Sequence, residues 1–364
     1  MEGVIADNRL PRLLQAAAGI TLSALVLSGC AANESGDQTS ALRGTLDGAG
    51  SSAQALAGDV WISQFQRTNA SVTINYDPTG SGAGREQFIG GGVEFAGSDS
   101  ALSEDELAGE FLACAPGSKA IDLPVYVSPL VLVFNVEGVD TLRLDPATIA
   151  GIFSGAITRW NDPALVALNP DATLPDAQIS AVHRSDDSGT TKNFADYLYQ
   201  NVPDVWPNEP ADAFPYPGEG AQGNSGVVSA VGNGRNTIGY TDASRAGDLS
   251  VAALKVGDEF VEYSAEAAAA IIDASPLVER ENPNDLVIDV DRTSTAAGVY
   301  PLVLVSYLIA CEEYPDSDQA ELVSSYLSYV ASPEGQAAAA TGAGSAPLSE
   351  AFSATVTKAV ASIR

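Results

Sequence analysis

Short β-type runs and helical patterns alternate along most of this chain, and that alternation restricts it to an α/β fold. Runs rich in β-branched and aromatic residues fall at 72–76, 94–96, 121–124, 130–135, 179–183, 237–240 and 300–309. The last overlaps a possible helix, and the pattern does not fix where it ends. Helical patterns fall at 53–66, 83–90, 146–154, 190–200, 225–232, 265–274 and 317–331. In the first of these, Leu56, Val60, Trp61 and Phe65 share one face at helical spacing, so that face is expected in the core. Pro- and Gly-rich stretches at 202–224 and 341–347 read as loops. The length of 364 residues exceeds the usual single-domain range and predicts two lobes.

The charge balance excludes several functions. With 47 acidic and 17 basic residues the net charge is −30. A nucleic-acid duplex would be repelled, so no nucleic-acid partner is expected. Three cysteines and one histidine make a Cys/His zinc framework improbable, and neither a metal nor a cofactor is expected. The whole-protein field also repels anions, so any anion site here must work through local donors.

The N-terminus reads as an address. Arg9 and Arg12 precede an apolar run from Ala16 to Leu27, which is too short to span a bilayer. Leu27-Ser28-Gly29-Cys30 then resembles a bacterial lipobox, in which Cys30 becomes the lipidated first residue. The expected division is a lipoprotein signal peptide over 1–29 and a flexible tether over 30–43. An ordinary signal peptide with an incidental cysteine is the alternative. Lipid on Cys30 leaves Cys114 and Cys311, and an even pair in an oxidising exterior predicts a disulfide. Two buried free thiols remain the other possibility.

Three helix starts share one chemistry: GAGSSA from Gly48, TGSGAG from Thr79 and DSGTT from Asp187. Serine caps a helix, glycine admits a ligand to the backbone, and free N–H groups at the positive dipole end attract anions. The richest segment is VHRSDDSGTT, 182–191, placed between a strand and a helix. Arg184 offers a planar fork of donors suited to a tetrahedral oxyanion, and Asp186 could hold it in place. Asp99 follows a strand in GSDS, where it could be a binding group or the N-cap of a helix over 101–107.

These motifs together resemble the PstS family, the substrate-binding proteins of phosphate ABC transporters, in lipoprotein form. The resemblance runs through GAGSSAQ at 48–54, GSGAG at 80–84, EFAGSDSALS at 94–103 and IFSGAITRWNDPAL at 152–165. It continues through HRSDDSGTT at 183–191, GNSGVVSAV at 223–231, TIGYTDAS at 237–244 and YPLVLVSYLI at 300–309. It implies a two-lobed periplasmic-binding-protein-like fold of type II, with two hinge crossovers and a cleft. Lobe 1 would take 44–127 plus 293–364, and lobe 2 would take 128–292. It implies phosphate contacts from Ser52, Ala53, Ser81, Asp99, Arg184, Ser188, Gly189 and Thr190, with Asp186 supporting Arg184. The family pattern has an aromatic residue and a threonine where this chain has Ala53 and Ser52; the hydroxyl and the N–H survive. The implied partners are inorganic phosphate, and permease subunits of an ABC importer with a cytoplasmic ATPase. The protein would be a monomer on the outer face of the membrane.

An enzyme is disfavoured. His183 is the lone histidine and reads as a wall residue, there is no G-x-S-x-G, and Gly218–Gly223 matches a dinucleotide fingerprint only within a loop. A binding protein for another oxyanion, or a phosphate-sensing surface lipoprotein without a transport role, are the remaining alternatives.

Overall fold

The computed structural model describes residues 42–364. The signal-peptide reading, the lipidation of Cys30 and nearly all of the tether fall outside the described residues.

In chain order, β1 (Gly44–Gly50), α1 (Ala55–Thr68), β2 (Val72–Asp77), α2 (Ser81–Ile89), β3 (Phe95–Ser98) and α3 (Glu104–Leu107) come first. Then follow β4 (Ala120–Asn135), β5 (Arg143–Leu144), α4 (Pro146–Phe153), α5 (Pro163–Leu168), β6 (Ser180–Arg184), α6 (Gly189–Asn201) and β7 (Glu219–Ala221). The chain continues with α7 (Gly223–Asn233), β8 (Thr237–Asp242), β9 (Ser250–Val251), β10 (Ala253–Val256), β11 (Glu259–Val261) and α8 (Ala265–Ala274). It closes with β12 (Val303–Cys311), α9 (Ser317–Ala331), α10 (Pro333–Ala343) and α11 (Glu350–Val360).

The main sheet runs β2-β1-β3-β12-β4-β8-β6-β7, with β9 also paired to β4. A small sheet, β11-β10-β5, lies apart from it. β4 is the shared strand. Nine of its first ten residues pair antiparallel with β12, and Leu130–Asn135 pair antiparallel with β8. Nearly every residue of β4 is buried, as its mostly apolar composition suits in a strand covered on both faces. The mixed α/β class expected from the alternation is the one found.

Two prolines explain why the sequence divides β4 into two runs. Proline has no N–H for a ladder and is unusual in a central strand. Here the register slips beside Pro124, leaving Val125 as a bulge between the pairs Tyr126–Ser306 and Pro124–Tyr307. The Val125 carbonyl is satisfied by the Gln336 amide at 2.9 Å. Pro129 stands where the partner changes from β12 to β8.

Other differences have equally local causes. The segment 300–309 resolves as strand, running from Val303 to Cys311. The strand β1 escaped the sequence pattern because GTLDGAG is poor in β-formers; parallel pairing on both sides, with β2 and β3, holds it. Gly50 makes its end possible: φ is +138°, and an added Cβ would lie 1.9 Å from the Gly97 carbonyl oxygen. In α1, Trp61 and Phe65 are buried while Leu56 and Val60 are half-buried. The Trp61 indole donates to the Gly335 carbonyl at 2.8 Å, fixing α1 to α10.

Asp99 is not a helix cap. The short α3 starts at Glu104, with a reciprocal capping box between Ser103 and Glu106. Residues 280–288 return to the first half of the sheet soon after α8. Arg280 reaches Glu104 at 2.8 Å, and the Leu286 N–H donates to the Asp122 carbonyl at 2.9 Å.

Cys114 and Cys311, 197 positions apart in sequence, form a disulfide with a Cα–Cα distance of 5.3 Å. A loop that long is costly to close in the unfolded chain. Replacing both cysteines with alanine is expected to lower the unfolding free energy by about 2–5 kcal/mol in a urea titration under non-reducing conditions. An unchanged midpoint would contradict that role.

Candidate functional site

The site forms where four turns meet at the ends of strands. β1 leads into the turn Ser51–Gln54 and then α1; Gly80 precedes α2; Asp99 follows β3; and Arg184 ends β6, four residues before Ser188 caps α6. The Ser188 hydroxyl accepts the Thr191 N–H at 3.2 Å. This leaves Gly189 and Thr190 in the first turn of α6, where backbone N–H groups have no acceptor within the helix.

Asp99 is the centre of the arrangement. It is 3 % exposed. Its Oδ1 accepts from the hydroxyls of Ser51 and Ser306, the latter at 2.8 Å, and its Oδ2 accepts from Thr190 at 2.8 Å. An ionised carboxylate has roughly four acceptor positions, so three hydroxyls leave room on Oδ2 for one more donor. Burial pushes the Asp99 carboxyl above the ordinary carboxylate range, while hydrogen bonds from Ser51, Ser306 and Thr190 and the charge of Arg184 oppose that rise. The Asp99 N–H donates to Ser81 Oγ at 3.1 Å, and the Asp99 carbonyl accepts from the Asn193 amide at 2.6 Å.

Arg184 meets Asp99 through the shared Thr190 hydroxyl and is 2 % exposed. Its guanidinium grips Asp186 through Nε at 2.7 Å and through Nη2, and reaches Thr190 Oγ1 through Nη1 at 3.3 Å. Burial acts to raise the Asp186 pKa, but the Arg184 hydrogen bonds and charge, with the Gly223 N–H, outweigh it and hold the carboxyl below its ordinary range. Arg184 is thus held in one direction by a carboxylate.

Hydroxyls complete the lining. Ser52 Oγ accepts both the backbone N–H and the side-chain amide of Asn224, each at 3.1 Å. With both lone pairs engaged, its proton is the part left to point at a ligand. The Ala53 N–H donates to Ser51 Oγ at 3.1 Å.

Glycines let the facing turns touch. A Cβ on Gly80 would stand 2.5 Å from Asp186 Oδ2, and one on Gly189 would stand 2.8 Å from Asp99. The Gly82 N–H donates to the Asp187 carbonyl at 3.1 Å.

All of the expected anion-site residues therefore gather in one place. Sequence reasoning missed Ser51, Ser306, Asn193 and Asn224. Ser51 and Ser52 are adjacent in GAGSSA, and sequence could not tell which hydroxyl turns toward Asp99. Ser306 carried a faint signal as the one hydroxyl-only side chain inside VLVSYLIA. His183 is engaged structurally: its Nδ1 lies 2.8 Å from the Arg184 carbonyl and its ring stacks on Phe214 at 4.2 Å. Among the described residues, no group of three His, Cys, Asp or Glu side chains is arranged to hold a metal, and no helix is long and apolar enough to cross a membrane.

The formal charges at the centre are one guanidinium, Arg184, and two carboxyls, Asp99 and Asp186. An anion placed here meets no net positive charge. Hydrogen bonds and the α6 dipole must hold it, in surroundings dry enough to strengthen both.

A family model described as a PBP superfamily domain matches residues 35–334. The chain is 36 % identical over 338 residues to phosphate-binding protein PstS 3 of Mycobacterium tuberculosis, covering 88 % of this chain and 90 % of the relative. It is 31 % identical over 293 residues to phosphate-binding protein PstS of Xylella fastidiosa, covering 78 % and 76 % respectively. In structure it is similar to PfluDING, a high-affinity periplasmic phosphate-binding protein solved with phosphate at pH 8.5. The TM-score is 0.69 at 26 % identity, over 86 % of this chain and 93 % of that one. On these matches the chain belongs to the PBP superfamily and, within it, to the PstS family of phosphate-binding proteins.

Proposed function

We propose that this protein captures inorganic phosphate outside the cell membrane and delivers it to the permease subunits of an ABC importer driven by a cytoplasmic ATPase. It acts as a binder rather than an enzyme, as a monomer held to the outer face of the membrane by lipid on Cys30. Ser52, Ala53, Ser81, Asp99, Arg184, Ser188, Gly189 and Thr190 contact phosphate in this reading. The single observation that carries it is the buried Asp99 carboxylate, with one acceptor position left and Arg184 joined to it through Thr190.

Phosphate near neutral pH keeps at least one proton, and sulfate keeps none. Asp99 when ionised can only accept, so it bonds a protonated oxygen and repels a bare one. A buried charged acceptor left facing another acceptor costs roughly 2 kcal/mol or more, and 1.4 kcal/mol is about tenfold in affinity. One carboxylate therefore suffices to reject sulfate strongly, and other fully ionised oxyanions with it.

The same reading assigns a lobe to each half of the sheet, 44–127 plus 293–364 and 128–292, hinged where β4 changes partner. The hydrogen bonds of 280–288 to Glu104 and Asp122 argue for placing the return crossover earlier, after α8. Ligand capture would then be lobe closure about a buried site.

Titration calorimetry on purified protein stripped of carried-over phosphate tests the reading. One-to-one phosphate binding with silent sulfate is expected. Asp99→Asn supplies an amide donor that a sulfate oxygen can accept, so the phosphate-to-sulfate affinity ratio should fall by roughly thirtyfold, about 2 kcal/mol. Equal binding of both anions by the unaltered protein would overturn the filter, and silence with both would overturn the function.

The pH dependence has a definite sign. Because burial lifts the Asp99 carboxyl above 3.8, it gains its proton earlier than an ordinary aspartate as pH falls. Once protonated it donates, and sulfate becomes acceptable. Sulfate competition should therefore emerge on acidification at a pH above 3.8 and vanish toward neutrality. Competition that is flat with pH would contradict this.

Salt provides a third check. Buried donors are poorly screened, so phosphate affinity should change less than tenfold between low and moderate ionic strength. A larger loss would mean that surface charge, not the buried donors, holds the ligand.

A further inference from the structure

The segment 202–218 lies between α6 and β7 and is fastened to the second half of the sheet by aromatic rings. Phe214 stacks on His183 of β6 at 4.2 Å and on Tyr240 of β8 at 6.2 Å, and Trp206 meets Phe194 of α6 edge-on at 6.1 Å, while Trp206–Tyr216 at 5.0 Å and Asn208–Tyr216 at 2.7 Å tie the segment to itself. From this anchored segment Asp212 reaches the other half. Its Oδ2 pairs with Arg85 Nη2 of α2 at 2.5 Å, and its Oδ1 accepts the Ser100 hydroxyl at 2.9 Å. Its backbone carbonyl accepts the Ser188 N–H at 3.0 Å, at the very start of α6.

We infer that Asp212 is a positioning residue that latches the cleft and sets how long phosphate stays bound; the inference rests on the phosphate-capture reading above. Three features support it. The ion pair joins the two halves and touches none of the phosphate-contacting side chains. It is reversible without stranding a charge: Arg85 keeps Glu106 at 2.8 Å and Ser98 at 3.0 Å within its own half, and the Asp212 side chain, itself 14 % exposed, sits near enough to solvent to be rehydrated on opening. It is also coupled to the ligand, because one residue joins Arg85 to the Ser188 N–H beside Gly189 and Thr190. A latch of this kind resists opening more than it assists encounter, so its effect belongs in the dissociation rate.

The test is stopped-flow phosphate kinetics, read by tryptophan fluorescence, on the unaltered protein, Asp212→Asn and Asp212→Glu. Asp212→Asn should raise the dissociation rate about tenfold, the worth of one charge-assisted hydrogen bond, and leave the association rate within about threefold. Asp212→Glu should recover most of the residence time. A dissociation rate within twofold of the unaltered protein for Asp212→Asn, or an equal loss in both substitutions, would overturn the latch. If the unaltered protein binds no phosphate, the capture reading fails, and small-angle scattering of the ligand-free proteins decides the latch alone. A larger radius of gyration for Asp212→Asn supports it, and an identical one overturns it.

Discussion

A carboxylate buried at the meeting point of three hydroxyls is the constraint around which this molecule is organised. Asp99 draws one donor from the turn after β1, one from β12 and one from α6. Each comes from a different stretch of chain, so the group is satisfied only when those stretches converge. Burying a charge without such partners is expensive, and burial here is nearly complete. Binding chemistry and packing are therefore hard to separate: the hydroxyls that make the carboxylate tolerable also fix which acceptor position faces a ligand.

The rest of the sheet serves that convergence. β4 changes partner midway, from β12 to β8, and so carries one continuous backbone between the two groups of turns. The proline at 129 falls where that change occurs, and the bulge at Val125 lies within the part paired to β12. Glycines at 80, 82 and 189 keep the facing turns at backbone distance, where any Cβ would collide. Arg184 is held by Asp186 rather than by the ligand, so its direction is set before anything binds. This preorganisation limits the ordering cost that binding would otherwise carry.

Much of this was legible in the sequence, and the part that was not has physical reasons. Helices such as 265–274 and 317–331 were readable as helical patterns, and their bounds agree with the structure. The motif RSDDSGTT was readable because an arginine, an aspartate and a capping serine at that spacing have few other uses. The choice between Ser51 and Ser52 was not readable, since neighbouring hydroxyls differ only in where the turn points them. Ser306 and Asp212 were hidden for another reason. Their roles depend on contacts with residues 207 and 127 positions away, and no local pattern records such contacts. β1 was hidden because pairing, not propensity, makes it a strand.

The strongly acidic surface and the anion site are reconciled by scale. The net charge of −30 acts over distances that salt screens, whereas the donors around Asp99 and Arg184 act at contact in a dry interior. The most direct test of the account is a crystal structure of the protein with phosphate. It should place one phosphate oxygen within hydrogen-bond distance of Asp99 Oδ2, with Arg184 and the first turn of α6 on the remaining oxygens. Phosphate found instead in the neighbouring cavity of about 580 Å³, among Leu102, Arg280 and Ile288 and away from Arg184, would contradict it.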